Sequence, residues 1–376
     1  MQKFANQFIR QHGIYDSFYI ANMRVLDNKI KQWQQHLPRV KPFYAVKCNP
    51  NQEMIKHMIA NDFGFDCASK HEIDTILQLG GKPSDIIYAH PIKRVDDLLY
   101  ASKNNIRYTT FDSLSELQKI HSVTPKMKCV LRVKVDNPTA RVQLGLKYGA
   151  TKDEYKSLID NASRLGVDIV GTSFHVGSAS SEPMVFKDGI EFAKLVFDYA
   201  KQKGFMNCNL LDVGGGFTKE TFISCSEVIN TELDKHFNDP NVRVIAEPGR
   251  YFAEEVFTFF VPVIGYRQRD NINQYWIADS LYGSFNCILY DGQVPTYKVI
   301  RNPQLGEYEG VDTESDSVLH LATCDSLDTL KDPVKLPLLR LGDYLMIENF
   351  GAYTLAGACD FNGINMTNPH IVYVGL

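Results

Sequence analysis

At 376 residues, with 44% hydrophobic and 22% charged side chains, the chain exceeds the usual limit of one hydrophobic core and reads as two globular domains. Its formal net charge of -4, with Lys and Arg scattered among Asp and Glu, supplies no basic stripe for a nucleic-acid backbone and no polybasic block for anionic lipid. Nucleic acid and membrane are therefore not expected partners. The opening MQKFANQFIRQHG lacks an apolar signal core, and no apolar run approaches the ~20 residues that span a bilayer, so a cytoplasmic protein is expected.

Eight cysteines, at 48, 67, 129, 208, 225, 287, 324 and 359, form neither C-x-x-C pairs nor a tight cluster. Free thiols in a reducing compartment and no metal site are the expectation. Most, such as Cys129 in CVLRV, read as buried and inert.

In chain order, SFYI (17–20) is a plausible isolated strand. Eight β-rich runs follow between residues 42 and 250: PFYAVK (42–47), FGFDCA (63–68), DIIYAH (85–90), IRYTTF (106–111), CVLRVKV (129–135), DIVGTSFHV (168–176), NLLDVG (209–214) and RVIAEP (243–248). Helical patterns such as KHEIDTILQLGG and EFAKLVFDYAKQKG separate them, with apolar i, i+3, i+4 spacing and glycine stops. Eight βα units close a TIM-type (β/α)8 barrel, so the spacing predicts a barrel over residues 26–257. From 258 the texture changes to FTFFVPVIGY, YWIADSLYGSF, YLMIENFGAY and IVYVG, broken by acidic turns such as GEYEGVDTESD. Residues 258–376, together with 1–25, are expected to form an antiparallel β domain of sandwich or barrel-like form.

In such a barrel the reactive groups gather where strands end at the C-terminal face. Lys47 closes the first strand, Asp66 lies in the second, His90 ends the third, Arg132 lies in the fifth and His175 ends the sixth. Gly214, Gly215 and Gly216 follow the seventh strand and Glu247 ends the eighth. Each has a bland counterpart: a strand-end lysine is commonly a surface residue, three glycines are commonly a bare turn, and EPGRY (247–251) suits a structural salt bridge. A histidine at 175 also suits a satisfied core. The glycine run is neither G-x-G-x-x-G nor G-x-x-x-x-G-K-S/T, so one phosphate group fits it better than a dinucleotide or triphosphate.

Taken together, PFYAVKCN, FDCAS with Glu72, LRV, FHVGS, DVGGGF, EPGRY, YGSFNCILYD, TCDSLD and NFGAYT occur in order over nearly the whole chain. The set resembles the fold-type III, alanine-racemase-like, pyridoxal-phosphate-dependent basic amino-acid decarboxylases, most closely their ornithine-cleaving branch. The resemblance implies pyridoxal 5'-phosphate held as a Schiff base on Lys47, with Glu247 at the pyridine nitrogen and His175 stacked on the ring. It places Ser178, the Gly214–Gly216 turn, Arg250 and Tyr353 at the phosphate, and Asp66 and Arg132 on the lysine side of the ring. Asp291, Asp325, Tyr290 and Phe361 are implied at the substrate, with Cys324 as the proton donor to Cα. The family also implies a homodimer with shared sites, in which Lys147 meets Asp328 of the other chain.

Two departures from the family pattern stand out, Ala179 in HVGSA and Ser326 in CDSLD, where glycine is usual. A racemase of the same barrel is disfavoured because that class resembles one with an arginine where this chain has Glu247. A non-catalytic regulatory relative is disfavoured because Lys47, His175, Glu247, Arg250 and Cys324 are all present. The expected reaction is decarboxylation of ornithine to putrescine, with lysine or arginine as the alternative substrate.

Overall fold

After helix α1 (Gln2–His12), strand β1 (Phe18–Asn22) and helix α2 (Met23–His36), eight short strands close a parallel barrel in a computed structural model that describes residues 1–12, 16–308, 310, 313–330 and 332–375. They are β2 (Val40–Ala45), β3 (Gly64–Cys67), β4 (Ile86–Tyr88), β5 (Tyr108–Phe111), β6 (Lys128–Val133), β7 (Ile169–Phe174), β8 (Leu210–Asp212) and β9 (Arg243–Ala246). Pairing runs in sequence order and closes between β2 and β9, with Val40 opposite Val244. Phe43, Ile87, Val130, Val170, Leu210 and Ile245 pack together, so the barrel encloses a solid apolar core rather than a pore.

The helices between strands are α3 (Gln52–Ala60), α4 (Lys70–Gln78), α5 (Val95–Lys103), α6 (Leu114–Val123), α7 (Tyr155–Leu165), α8 (Val185–Gln202) and α9 (Phe222–His236), with a short α10 (Arg250–Ala253) after β9. Local chemistry sets where they start. Ser69 Oγ accepts from Glu72 N at 3.2 Å while Glu72 Oε2 accepts from Ala68 N at 2.6 Å, so two donors at the head of α4 are satisfied reciprocally. α7 stops at Gly166, whose φ of +68° ends the helix in the left-handed region.

Every barrel run in the sequence became a strand, but most end earlier than their apolar pattern. β2 ends at Ala45, whose N–H turns to Pro248 O, and Lys47 sits in the following 3-10 turn Val46–Cys48. β4 ends at Tyr88 before His90, and β7 at Phe174 before His175. The physical reason is common to all three: at the barrel mouth the backbone leaves the ladder to present side chains.

The chain divides into two units, Lys29–Tyr251 and Met1–Asn28 with Phe252–Leu376. The second contains β10 (Phe257–Arg269), β11 (Ile272–Ile277), helix α11 (Asn286–Tyr290), β12 (Lys298–Ile300), β13 (Ser315–His320), β14 (Val334–Leu336), β15 (Tyr344–Ile347) and β16 (His370–Val374). Strand order is β12-β15-β10-β11-β13-β14, with β1 between β10 and β16. Most pairings are antiparallel as expected, but β1 with β16 and β11 with β13 are parallel. Both parallel pairs join strands far apart in the chain, where no hairpin fixes the direction. Part of the acidic GEYEGVDTESD loop lies outside the described residues.

α1 was not legible as a helix. Its Ala5 and Ile9, one turn apart, are buried with Phe18, Ile20, Phe260, Tyr344 and Met346, which anchors the N-terminal segment on the sheet. Among the described residues no helix is long and apolar enough to cross a membrane.

Candidate active site

Lys47 is brought to the barrel mouth by the turn after β2, where its Nζ forms an ion pair with Asp66 Oδ2 from the neighbouring strand β3. Asp66 is fully buried, and its other oxygen has no hydrogen-bond partner among the described residues. Lys47 remains about two-fifths exposed, so the amine is held by a buried carboxylate yet open to the mouth.

Beside this pair lie two more buried carboxyls. Glu247, just past β9, is pushed well above the carboxylate range by burial, then by Asp212 and Asp66. Asp212, the last residue of β8, is pushed up to about 7, chiefly by burial. With Glu247 raised by burial and by the charge of Asp212, the two acids together hold a proton when no cofactor is bound. Glu247 Oε1 and Asp212 Oδ2 lack a hydrogen-bond partner among the described residues. Such orphaned buried acids fit a ligand that brings a ring N–H or a positive charge.

The glycine turn is tied to this pair through the backbone. Gly214 N donates to Asp212 Oδ1 at 2.8 Å, and Glu247 N donates to Gly214 O at 2.7 Å. A Cβ at Gly214, where φ is +68°, would lie 2.0 Å from Phe174 O. At Gly215 it would lie 2.7 Å from His175 Nε2, and at Gly216 2.8 Å from Gly177 O. Only a backbone stripped of side chains fits against the 174–180 loop. That loop brings Ser178, whose Oγ accepts from Arg250 Nη2 at 3.1 Å, and Ser180 N donates to Gly216 O at 3.2 Å. A buried guanidinium, a hydroxyl and a glycine turn together offer the donors that a phosphate accepts.

His175 Nδ1 accepts from Gly177 N at 3.0 Å. Burial, then the charges of Arg132 and Lys47, hold its pKa well below the ordinary imidazole value. The ring is therefore neutral with its proton on Nε2, an aromatic plate lying against Gly215. Arg132, in β6, rests its guanidinium 5.4 Å from the Tyr148 ring centre. His90 lies beside the same tyrosine at 6.0 Å between ring centres, its Nδ1 accepting from Ile92 N at 3.1 Å.

The second unit gathers another set. Asp325 Oδ2 accepts from Tyr282 OH at 2.7 Å and its Oδ1 from Leu327 N at 3.0 Å, and these bonds hold the carboxyl below its usual range. Phe361 stacks on Tyr282 with ring centres 4.1 Å apart. The next residue, Asn362, faces the exposed Cys324, its Oδ1 accepting from both N and Sγ at 3.4 Å. Asp328 is buried and accepts from Ser280 Oγ at 2.8 Å, Leu281 N at 2.8 Å, Thr323 N at 3.0 Å and Thr323 Oγ1 at 2.6 Å. Asp328 therefore braces the loop that carries Cys324. Asp291 is buried where α11 ends, whereas Tyr290 is exposed. Tyr353 adopts φ of +57°, and Lys147 Nζ stands 5.2 Å from the Tyr148 ring.

The structure thus brings Lys47, Asp66, His175, Ser178, Gly214–Gly216, Glu247 and Arg250 to one mouth, and groups Cys324, Asp325 and Phe361 separately on the second unit. Sequence reasoning missed Asp212, although an acid inside the apolar run NLLDVG was the available signal. It also missed Tyr282 and Asn362, and treated Cys324 as the one unusual thiol where Cys359 is exposed as well.

A barrel with a lysine set against a buried carboxylate, a buried acid pair and a glycine cradle defines an enzyme of the pyridoxal-phosphate barrel class. The family model described as "Pyridoxal-dependent decarboxylase, pyridoxal binding domain" matches residues 23–254. The chain is 40% identical over 364 residues to the ornithine decarboxylase of Schizosaccharomyces pombe, which covers 96% of this chain and 83% of that protein. It is 40% identical over 379 residues to that of Rattus norvegicus, covering 96% and 80%. Among solved structures, the arginine decarboxylase of Paramecium bursaria Chlorella virus bound to agmatine has a TM-score of 0.93 at 36% identity, with both chains fully covered. The lysine/ornithine decarboxylase of Vibrio vulnificus complexed with cadaverine has a TM-score of 0.88 at 26% identity, covering 100% of this chain and 98% of that one. The chain belongs to the ornithine decarboxylase family of fold-type III, pyridoxal-phosphate-dependent carboxy-lyases that act on basic amino acids.

Proposed function

We propose that the enzyme decarboxylates L-ornithine to putrescine and CO2 on a two-fold homodimer with shared sites, in which Cys324 and Asp325 of one subunit complete the mouth that holds Lys47 of the other. The observation that carries the substrate reading is the ionised Asp325, held by Tyr282 and Leu327 beside Cys324 and Phe361. A distal ammonium leaving water needs a counter-charge, and Asp325, with Asp291 as second acid, supplies it.

Lys47 would carry the cofactor, Ser178, Gly214–Gly216, Arg250 and Tyr353 would hold its phosphate, and His175 would flank its ring. Asp66 and Arg132 would orient the lysine side. Bound there, the cofactor supplies the electron sink for the carbanion left when CO2 departs. Glu247 would hold a proton at the cofactor's ring nitrogen, with Asp212 behind Glu247. Lys47 Nζ would serve as the amine that exchanges with substrate and product, and Cys324 Sγ would supply the proton to Cα. In the interface Lys147 of one subunit meets Asp328 of the other. Eight free thiols suit a reducing compartment, which favours the cytoplasm.

Labelled CO2 release from ornithine, lysine and arginine tests the reading. Ornithine should give the highest kcat/KM. Arginine is the second reading, favoured by the TM-score of 0.93 to an arginine decarboxylase, and preference for it or for lysine would overturn the ornithine assignment.

A further inference from the structure

The chain that leaves β6 folds back over the end of that strand. Val133 and Ala150 form an isolated parallel bridge, Ala150 N donates to Arg132 O at 2.9 Å, and Lys134 N donates to Ala150 O at 2.9 Å. Gly149 permits the close approach, because a Cβ there would lie 2.6 Å from Lys134 Cα. Its N–H donates to Asp112 Oδ2 at 2.8 Å, which ties the returning segment to the end of β5. This return sets the half-buried Tyr148 ring against Arg132, with the guanidinium 5.4 Å from the ring centre. Among the described residues Arg132 makes no hydrogen bond or ion pair, which leaves the ring as the group that directs it.

The ring is braced from its other side of the mouth. His90 meets it edge to face at 6.0 Å between ring centres, and the turn that carries His90 is locked by a buried lysine. Lys93 Nζ donates to His90 O at 2.9 Å and to Thr110 O at 2.6 Å, and stands 2.9 Å from Glu116 Oε1. Lys93 N donates to the same carboxylate oxygen at 3.3 Å, and Glu116 is buried as well. Three acceptors match the three protons of an ammonium, so the lysine can be buried and the turn has no freedom left. Lys93 thereby fixes where His90 stands, and His90 fixes one edge of Tyr148.

We propose that Tyr148 is a positioning residue for the cofactor, its braced ring aiming the Arg132 guanidinium into the barrel mouth; this rests on the proposed role of Arg132 at the cofactor's lysine side. A ring face attracts a guanidinium through its quadrupole and so sets direction without taking up any N–H. Arg132 therefore keeps its donors for a ligand. The Tyr148 hydroxyl has no hydrogen-bond partner among the described residues, so the ring and not the hydroxyl does the positioning. Lys147 Nζ, 5.2 Å from the same ring centre, belongs to an exposed residue on the rim.

The test titrates pyridoxal 5'-phosphate into the full-length protein freed of it and follows visible absorbance and circular dichroism. Arg132→Met should weaken binding at least ~10-fold and Tyr148→Leu about 5-fold with an altered dichroic band, whereas Tyr148→Phe should match wild type in both. His90→Ala removes only the brace and should move the band the same way. Placed in the Arg132→Met background, Tyr148→Leu should cost nothing further, because a residue that acts through Arg132 has nothing left to direct. A merely structural tyrosine would weaken both backgrounds alike. Arg132→Met binding as tightly as wild type overturns the role of Arg132 and that of Tyr148 with it. With Arg132→Met impaired, the role of Tyr148 alone is overturned by wild-type binding in Tyr148→Leu, by equal losses in the two backgrounds, by a loss in Tyr148→Phe, or by an unmoved band in His90→Ala.

Discussion

Asp212 and Glu247 are both buried and are joined through Gly214, whose N–H donates to Asp212 Oδ1 and whose carbonyl accepts from Glu247 N. The cofactor-free protein consequently holds a proton there that an unfolded chain would release. An acid raised from 3.8 to about 7 makes the native state bind more protons than the unfolded state between those values, so stability falls as pH rises through that window. Asp212→Asn removes the like-charge repulsion. The thermal midpoint of the cofactor-free variant should fall less between pH 4 and 7 than that of wild type, by an amount corresponding to at most about 4 kcal/mol. Parallel midpoint-against-pH curves for the two proteins would show that Asp212 does not hold a proton in that range.

Gly215 is the position where the cradle touches the histidine plate. Alanine there would set a methyl 2.7 Å from His175 Nε2 and from Glu247 O, forcing the ring or the backbone aside. Gly215→Ala should fold, because φ is not positive there, but should bind cofactor at least ~10-fold more weakly, about 1.4 kcal/mol. An absorbance titration checks this, and wild-type affinity would remove Gly215 from the site.

The departure at 179 has a definite consequence, because Ala179 adopts φ of +51°. Left-handed backbone costs a non-glycine residue roughly 1–2 kcal/mol, and glycine returns part of that as unfolded-state entropy. Ala179→Gly should therefore raise the thermal midpoint by an amount worth up to about 1 kcal/mol. A lower midpoint would mean that the methyl packs usefully. Ser326, by contrast, is not among the positive-φ residues, so serine fits its turn without strain.

Much of the fold was readable because barrel strands are buried on both faces and stand out as continuous apolar runs. Their mouth ends were overread. PFYAVK and DIVGTSFHV carry apolar neighbours past the last ladder bond, and the pattern cannot show where the backbone turns to present Lys47 or His175. In the second unit β12 and β14 escaped notice because each is three residues long, and β13 because SDSVLH is mostly polar. Asp212 escaped for a different reason: its role depends on the depth of Glu247, which only the closed barrel reveals.

The shared-site proposal predicts complementation. Lys47→Ala and Cys324→Ala homodimers should each be inactive, whereas mixing them under conditions of subunit exchange should restore up to about a quarter of wild-type activity. Half of the random dimers are mixed, and each mixed dimer holds one intact site. Demonstrated exchange without recovery would place Lys47 and Cys324 in sites built by one chain.

The last prediction separates charge from shape at the substrate end. Asp325 accepts from Leu327 N and Tyr282 OH, and those donors, the backbone amide foremost, keep it ionised into acid. Asp325→Ala should leave cofactor absorbance unchanged and lower kcat/KM for ornithine by about 10²-fold, because the distal ammonium loses its partner once it has left water. Tyr282→Phe keeps the ring stacked on Phe361 but deletes one donor to the carboxylate. Its loss should be smaller, roughly 10-fold, and should grow as pH falls, since a carboxyl with one stabilising bond fewer takes up its proton at higher pH. Rates with ornithine measured from pH 3 to 6, the range through which a carboxyl of ordinary pKa near 3.8 titrates, read both effects. If Asp325→Ala handles ornithine as well as wild type, or if the Tyr282→Phe deficit is flat across that range, the acid is not the group that recognises the substrate ammonium.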